Sequence, residues 1–155
     1  MEGEEAAYDP YAMYNDTTES ISRWKDAIQN DFEARMDWSI TSNYADANHH
    51  PLAIVNGDTS RQVMQVSVAA GSSVEVDAAD SSDPDGDGLS YSWWVFEESS
   101  SYIGPVTIQG NSSASATVEV PSSDAEGQNM HVILELSDDG SPSLTAYRRV
   151  ILNVQ

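Results

Sequence analysis

The spacing of apolar residues changes twice along the chain and divides it into three stretches. Residues 1–17, MEGEEAAYDPYAMYNDT, are acidic, carry Pro10 and show no period, which predicts an irregular arm. Tyr8, Tyr11 and Tyr14 recur every third residue within it, either as a docking stripe or as a loosely adhering arm. From about Thr18 to Trp38 the period becomes helical. Ile21, Trp24, Ile28, Phe32 and Met36 line one face, with Thr17, Thr18 or Ser20 available as the N-cap, so an amphipathic helix is predicted. Its stripe must dock either on the domain that follows or on a domain elsewhere, and the pattern alone does not choose. Ser39 to Ala47 lose the period and read as a linker, so helix and linker together span 18–47.

From Asn48 onward the period is two. Strand-like runs occur at 52–56 (LAIVN), 63–68 (VMQVSV), 73–78 (SVEVDA), 89–96 (LSYSWWVF), 115–120 (SATVEV), 130–137 (MHVILELS) and 144–154 (LTAYRRVILNV), with a weaker one at 106–109. Asn56-Gly57-Asp58, Ala70-Gly71-Ser72, Pro121-Ser122-Ser123 and Asp138-Asp139-Gly140 supply turn chemistry between them. The predicted class for 48–155 is mainly β: an immunoglobulin-like antiparallel sandwich of two sheets and about seven strands, preceded by one helix.

The centre of this half is Ser82 to Phe96, SDPDGDGLSYSWWVF. Asp83, Asp85 and Asp87 alternate with Pro84, Gly86 and Gly88, a tight-turn composition rich in carboxylate oxygens. In the strand that follows, Leu89, Tyr91, Trp93 and Val95 share one face and Ser90, Ser92, Trp94 and Phe96 the other. Tyr91 and Trp93 are assigned to the core with Leu89.

Composition narrows the partners. Twenty-six acidic residues against 6 basic ones give a formal charge of −20, which repels nucleic acid and anionic membrane surfaces and leaves neutral ligands, cations or basic proteins. There is no cysteine, hence no disulfide framework and no thiolate chemistry. No run reaches the length of a membrane-spanning helix, and the residues after Met1 are acidic where a signal peptide is basic and then apolar. The chain therefore reads as a piece of something longer.

Three separated stretches carry a resemblance. NHHPLAIVNG, SSDPDGDGLSYSWW and MHVILELSDDGSPSLTAYRRVIL, in that order and spacing, resemble the C-terminal domain of a bacterial cellulose-binding protein family, and RWKDAIQNDFEARMDW resembles the segment that leads into it. The likeness runs from about 22 to 154. It implies an immunoglobulin-like domain associated with cellulose binding, in a secreted or cell-surface bacterial protein with an upstream nucleoside-hydrolase-like domain. It marks no contact residues. DPDGD before an aromatic strand also occurs in polycystic-kidney-disease-type and cadherin-like modules.

The chain lacks a G-x-S-x-G elbow, an H-E-x-x-H pair and a phosphate-cradling glycine loop, so no catalytic role is predicted. His49 and His50 have no spaced partner for zinc. Asp83, Asp85 and Asp87 fall at positions 1, 3 and 5 of an EF-hand loop with Gly88 at position 6, but Trp94 stands where the bidentate Glu belongs. In a sandwich, the loop before the third strand and the loop between the last two lie at one end, bringing Asp138 and Asp139 towards the triplet, and the incoming chain brings Asn48. Two readings stand: a calcium site, or a solvated acidic turn. On the other face Trp94 and Phe96, with Tyr102 close behind, form a candidate stacking platform for sugar rings, unless the helix covers Trp94. Arg148 and Arg149 point to opposite faces of the last strand, with Glu135 as the expected cross-strand partner. Two functions follow: a non-catalytic cellulose-binding module, or a calcium-stiffened structural module that docks or spaces the upstream domain.

Overall fold

The computed structural model describes residues 21–155; the predicted acidic arm, its three tyrosines and the predicted helix caps lie outside them. Helix α1 (Lys25–Ile40) is free of Gly and Pro, has Asp26 in its first turn and an Arg35–Asp31 pair at 2.8 Å one turn apart. Strands β1 (Met64–Val68), β2 (Ser73–Asp77), β3 (Leu89–Val95), β4 (Thr107–Gln109), β5 (Ser115–Glu119), β6 (Asn129–Asp138) and β7 (Thr145–Val154) follow.

They form two sheets, β1-β7-β6-β3 and β2-β5-β4. All pairings are antiparallel except β1 with β7. This is the immunoglobulin-like sandwich that the spacing predicted. The core is the alternating inner face of both sheets: Trp93, Met130, Val132, Leu134, Leu136, Val150 and Leu152 from one, Val76, Ala116 and Val118 from the other. Trp93 is 1% exposed and its indole N–H donates to Ser113 O at 3.0 Å, so its single polar atom is satisfied inside the core. Trp94, one residue on, is half-buried on the outer face.

Three expectations are corrected. The run at 52–56 is no ladder strand, although Ala53 and Val55 are buried. It makes only the isolated bridges Leu52 to Ser82 and Val55 to Asp58. Asn56 and Gly57, both at positive φ, close a turn at once, and the Ile54 N–H goes to Ser81 Oγ instead of to a neighbouring strand. The weak run at 106–109 does pair, as β4, and makes the seventh strand.

The helical stripe is the second, in that its five residues do not share one face: Trp24 packs on the sheet and the other four point away from it. Ile28, Phe32 and Met36 are 58%, 65% and 51% exposed, and the face turned to the sandwich is instead Trp24, Ala27, Asn30, Asp31, Ala34 and Trp38. Small and polar residues let α1 approach closely: Ala34 is fully buried, Asn30 Nδ2 donates to Ser143 O at 2.9 Å, and the Trp38 indole donates to Asn48 O at 2.7 Å.

Third, Arg148 does not pair with Glu135. Opposite Glu135 stands Tyr147. Arg148, 5% exposed on the core face of β7, reaches the turn at 53–60, donating through Nη1 to the carbonyls of Ala53, Asp58 and Ser60 and through Nη2 to Asp58 Oδ2 at 3.1 Å.

Candidate functional site

Two places gather the residues singled out above. The first is the outer face of the four-stranded sheet. The register sets Trp94, Ile133 and Arg149 in one row across β3, β6 and β7. Over that row lies Trp24, from the turn before α1, with its ring centroid 4.9 Å from Tyr147, 5.6 Å from Trp94 and 6.5 Å from Phe96. Arg23 lies 5.1 Å above the Trp94 ring and is tied to Glu98 at 2.8 Å, while Arg149 lies 5.3 Å from the Phe96 ring. Ile133 is buried beneath these rings, and burial, with the Glu135 charge second, pushes the Tyr147 hydroxyl up to about 12. The result is a half-exposed aromatic patch. Tyr102 does not belong to it: at 8% exposure its ring sits in the core, with its hydroxyl 3.4 Å from Asp124 Oδ2, because the 3-10 turn after β3 carries the chain over the end of the sandwich. Of the two helix-stripe rings that could cover Trp94, Trp24 lies over it while Phe32 faces outward.

The second is the end of the sandwich where the β2–β3 loop, the β6–β7 turn and the lead-in segment meet. Their convergence is held by the backbone: the Asp139 N–H donates to Gly88 O at 3.0 Å and the Gly88 N–H to Asp139 Oδ1 at 2.6 Å. Asp83, Asp85 and Asp87 present carboxylate oxygens that all lie within 4.8 Å of one another. Asp83 Oδ1 accepts the N–H groups of Asp85 and Asp87 at 2.8 and 3.2 Å, which shapes the turn. Asp138 Oδ1 accepts three donors, Asn48 Nδ2, Gly140 N and Leu144 N, at 2.9, 3.0 and 2.9 Å. Burial, and then the charges of Asp83, Asp138, Asp139 and Asp85, hold the Asp87 carboxyl above the ordinary range.

The histidines separate. His49 gives its N–H to Asp85 Oδ2 at 2.7 Å, and its ring lies parallel to Tyr44 at 3.6 Å and to Trp38 at 5.6 Å. His50 turns the other way, to Asp31 at 3.1 Å. Among the described residues they share no ligand position.

Residues 73–154 match the family model described as "Cellulose-binding protein Sde0182, C-terminal domain", which is more than half of the 155-residue chain. The chain belongs to that family. A solved structure similar to this family member is a nucleoside hydrolase-related hypothetical protein from Saccharophagus degradans that is associated with carbohydrate metabolism: 56% identity over 87% of this chain, TM-score 0.86. The chain spans 33% of that protein's length. The PKD domain from KIAA 1837 protein (18% identity, 60% of this chain and 81% of that one, TM-score 0.42) and human CDH23 EC21-23 (16%, 68% and 35%, TM-score 0.47) are far more distant and add nothing to the strand order described above. No curated protein matches the chain. No helix among the described residues is long and apolar enough to cross a membrane.

Proposed function

We propose that this chain is a non-catalytic carbohydrate-binding module, for cellulose or a related polysaccharide, in a secreted or cell-surface bacterial protein. The observation that carries the reading is membership in a family named for cellulose binding. The aromatic patch supports it: Trp94 and Phe96 stand half-exposed beside Trp24 on the outer face of the sheet, and flat rings pack on the apolar faces of pyranose rings. A neutral polymer is also not repelled by a protein of charge −20. Co-sedimentation with microcrystalline cellulose tests this. The chain is expected in the pellet at low and high salt alike, because stacking has no long-range Coulomb component to screen, and Trp94→Ala is expected to reduce binding. Absence from the pellet at both salts sinks the reading. A gain of binding in Trp24→Ala identifies Trp24 as a cover over the patch, whereas a loss makes it part of the platform.

A second reading rests on α1. Ile28, Phe32 and Met36 form an apolar stripe that the sandwich leaves uncovered, continued by Ile21 and Ile40 at 66% and 82% exposure. In the Saccharophagus degradans relative the matched region is only a third of a nucleoside hydrolase-related protein. The occupant this favours is a nucleoside-hydrolase-like domain of the same longer protein, docked on the stripe while the sandwich carries the glycan surface. Titrating that domain, taken from the relative, with this chain and with its Phe32→Ser variant tests the dock. Binding by the unaltered chain and not by the variant is expected; equal affinities would place the contact elsewhere.

A further inference from the structure

The acidic end of the sandwich holds more oxygen than it can satisfy. Asp138 and Asn48 are 4% and 8% exposed, yet Asp138 Oδ2 and Asn48 Oδ1 have no hydrogen-bond partner, and the buried Asp83 Oδ2 has none either. A buried carboxylate oxygen without a donor is costly, and each of these side chains already uses its other polar atom to hold the fold. Asn48 lines the same concavity as Asp85, Asp87 and Gly140, so its free oxygen belongs to the aspartate loop. Asp138 pairs with Leu89, next to the loop in the ladder, and holds the Asn48 carboxamide at 2.9 Å. Two nearly buried residues from outside the loop thus leave unpartnered acceptors at a triplet of carboxylates.

We propose that this end of the domain is a calcium site, with Asp83, Asp85 and Asp87 as its anionic core and Asn48 Oδ1, whose carboxamide Asp138 holds, closing it on the buried side. Calcium takes about six to eight oxygens at about 2.3–2.6 Å, so two ligands of one ion lie no more than about 5 Å apart. The three loop carboxylates meet that limit, their oxygens all lying within 4.8 Å of one another. Donors that are all carboxylate or amide oxygen, drawn from separate loops, suit a hard cation that tolerates irregular geometry better than magnesium, which demands a near-ideal octahedron. Asp139, whose Oδ1 accepts the Gly88 N–H, does not group with the three loop carboxylates and has no stranded buried oxygen, so it adds negative charge alone. The ion would join three segments otherwise held to one another by a few hydrogen bonds each. One is the lead-in at Asn48, whose carbonyl receives the Trp38 indole, so the site also fixes where α1 sits.

Calorimetric titration of the chelator-stripped chain with calcium chloride, at physiological ionic strength and with magnesium present, tests the site beside thermal melts of the same samples. One tight calcium per chain and a rise in melting temperature are expected, and Asp85→Ala, which removes a loop carboxylate, weakens the affinity by about tenfold or more. Asp138→Asn keeps the Oδ1 acceptor for Asn48 but removes the charge behind it, so it weakens the tight site as well. If that variant fails to fold, Asp87→Asn decides in its place. Identical melts in calcium and chelator overturn the proposal, as does unchanged affinity in Asp85→Ala together with whichever second variant is read, the signature of diffuse binding to an acidic surface.

Discussion

Two polar clusters penetrate this sandwich, and they are built to opposite accounts of charge. Around Arg148, one guanidinium meets three carbonyl oxygens and one carboxylate from the turn at 53–60. Around Asn48 and Asp138 oxygens again converge from separate segments, but among the described residues no Lys or Arg pairs with them, and the one ionisable nitrogen in contact is His49 Nδ1, 3.1 Å from Asp85 Oδ2. The first cluster carries its counter-charge in the chain. The second is an oxygen cage of the same kind without one, in a protein where only 6 residues are basic. Converging oxygens are tolerable where a cation sits between them and repulsive where none does, and that contrast is the reason the second cluster reads as a site and the first as a clamp.

Removing the internal cation gives the largest effect. Arg148→Met is expected to cost about 3 kcal/mol or more, because it strands Asp58 and the carbonyls that the guanidinium satisfies. Urea unfolding measures it, and a loss below about 1 kcal/mol would show that solvent replaces the clamp with ease. At the other cluster, calcium at a hundredfold excess over its Kd is expected to stabilise by about 2.7 kcal/mol, read as the difference between calcium and chelator melts. Arg148→Met should leave that difference unchanged; if it shrinks, the two clusters are coupled and the contrast fails. Gly140→Ala comes next. A Cβ at Gly140 would run into the Asn48 carboxamide, so the substitution is expected to push Asn48 off Asp138 at about 1–3 kcal/mol and to weaken calcium binding with it.

Much of this was legible in the sequence, for identifiable reasons. Period-two alternation put Trp93 inside and Trp94 outside, and the sandwich topology alone brought Asp138 and Asn48 towards the aspartate loop. What escaped were contacts decided by close approach instead of hydrophobicity. The helix docks through Ala34 and Asn30 while its most apolar residues face out, an inversion that the spacing of apolar residues does not contain. Asp58 gave no sign that it would receive Arg148, because the Asn-Gly turn that delivers it ends what looked like a strand. Tyr102 and Trp24 exchanged places for the same reason: loop geometry sends one ring into the core and lays the other on the outer face.

The smallest effect concerns what actually holds Asp58. Its carboxyl lies below the ordinary 3.8 first because the side chain and N–H of Ser60 donate to it, at 3.1 and 2.7 Å, and only then because of the Arg148 charge. A carboxylate held low adds stability that is complete above its unfolded value and is lost as the pH falls through the lowered one. Asp77, lowered by the Ala79 N–H and the Ser115 hydroxyl, behaves alike. Stability is therefore expected to stay level through neutral pH as far as these two groups act, and to drop below about pH 4. Carboxyl carbon chemical shifts followed through an acid titration separate the contributions at Asp58. Ser60→Ala should bring the Asp58 midpoint back towards 3.8 by more than Arg148→Met does. The opposite order would make the guanidinium the main holder of this carboxylate, and the clamp would then be an ion pair first and a carbonyl cage second.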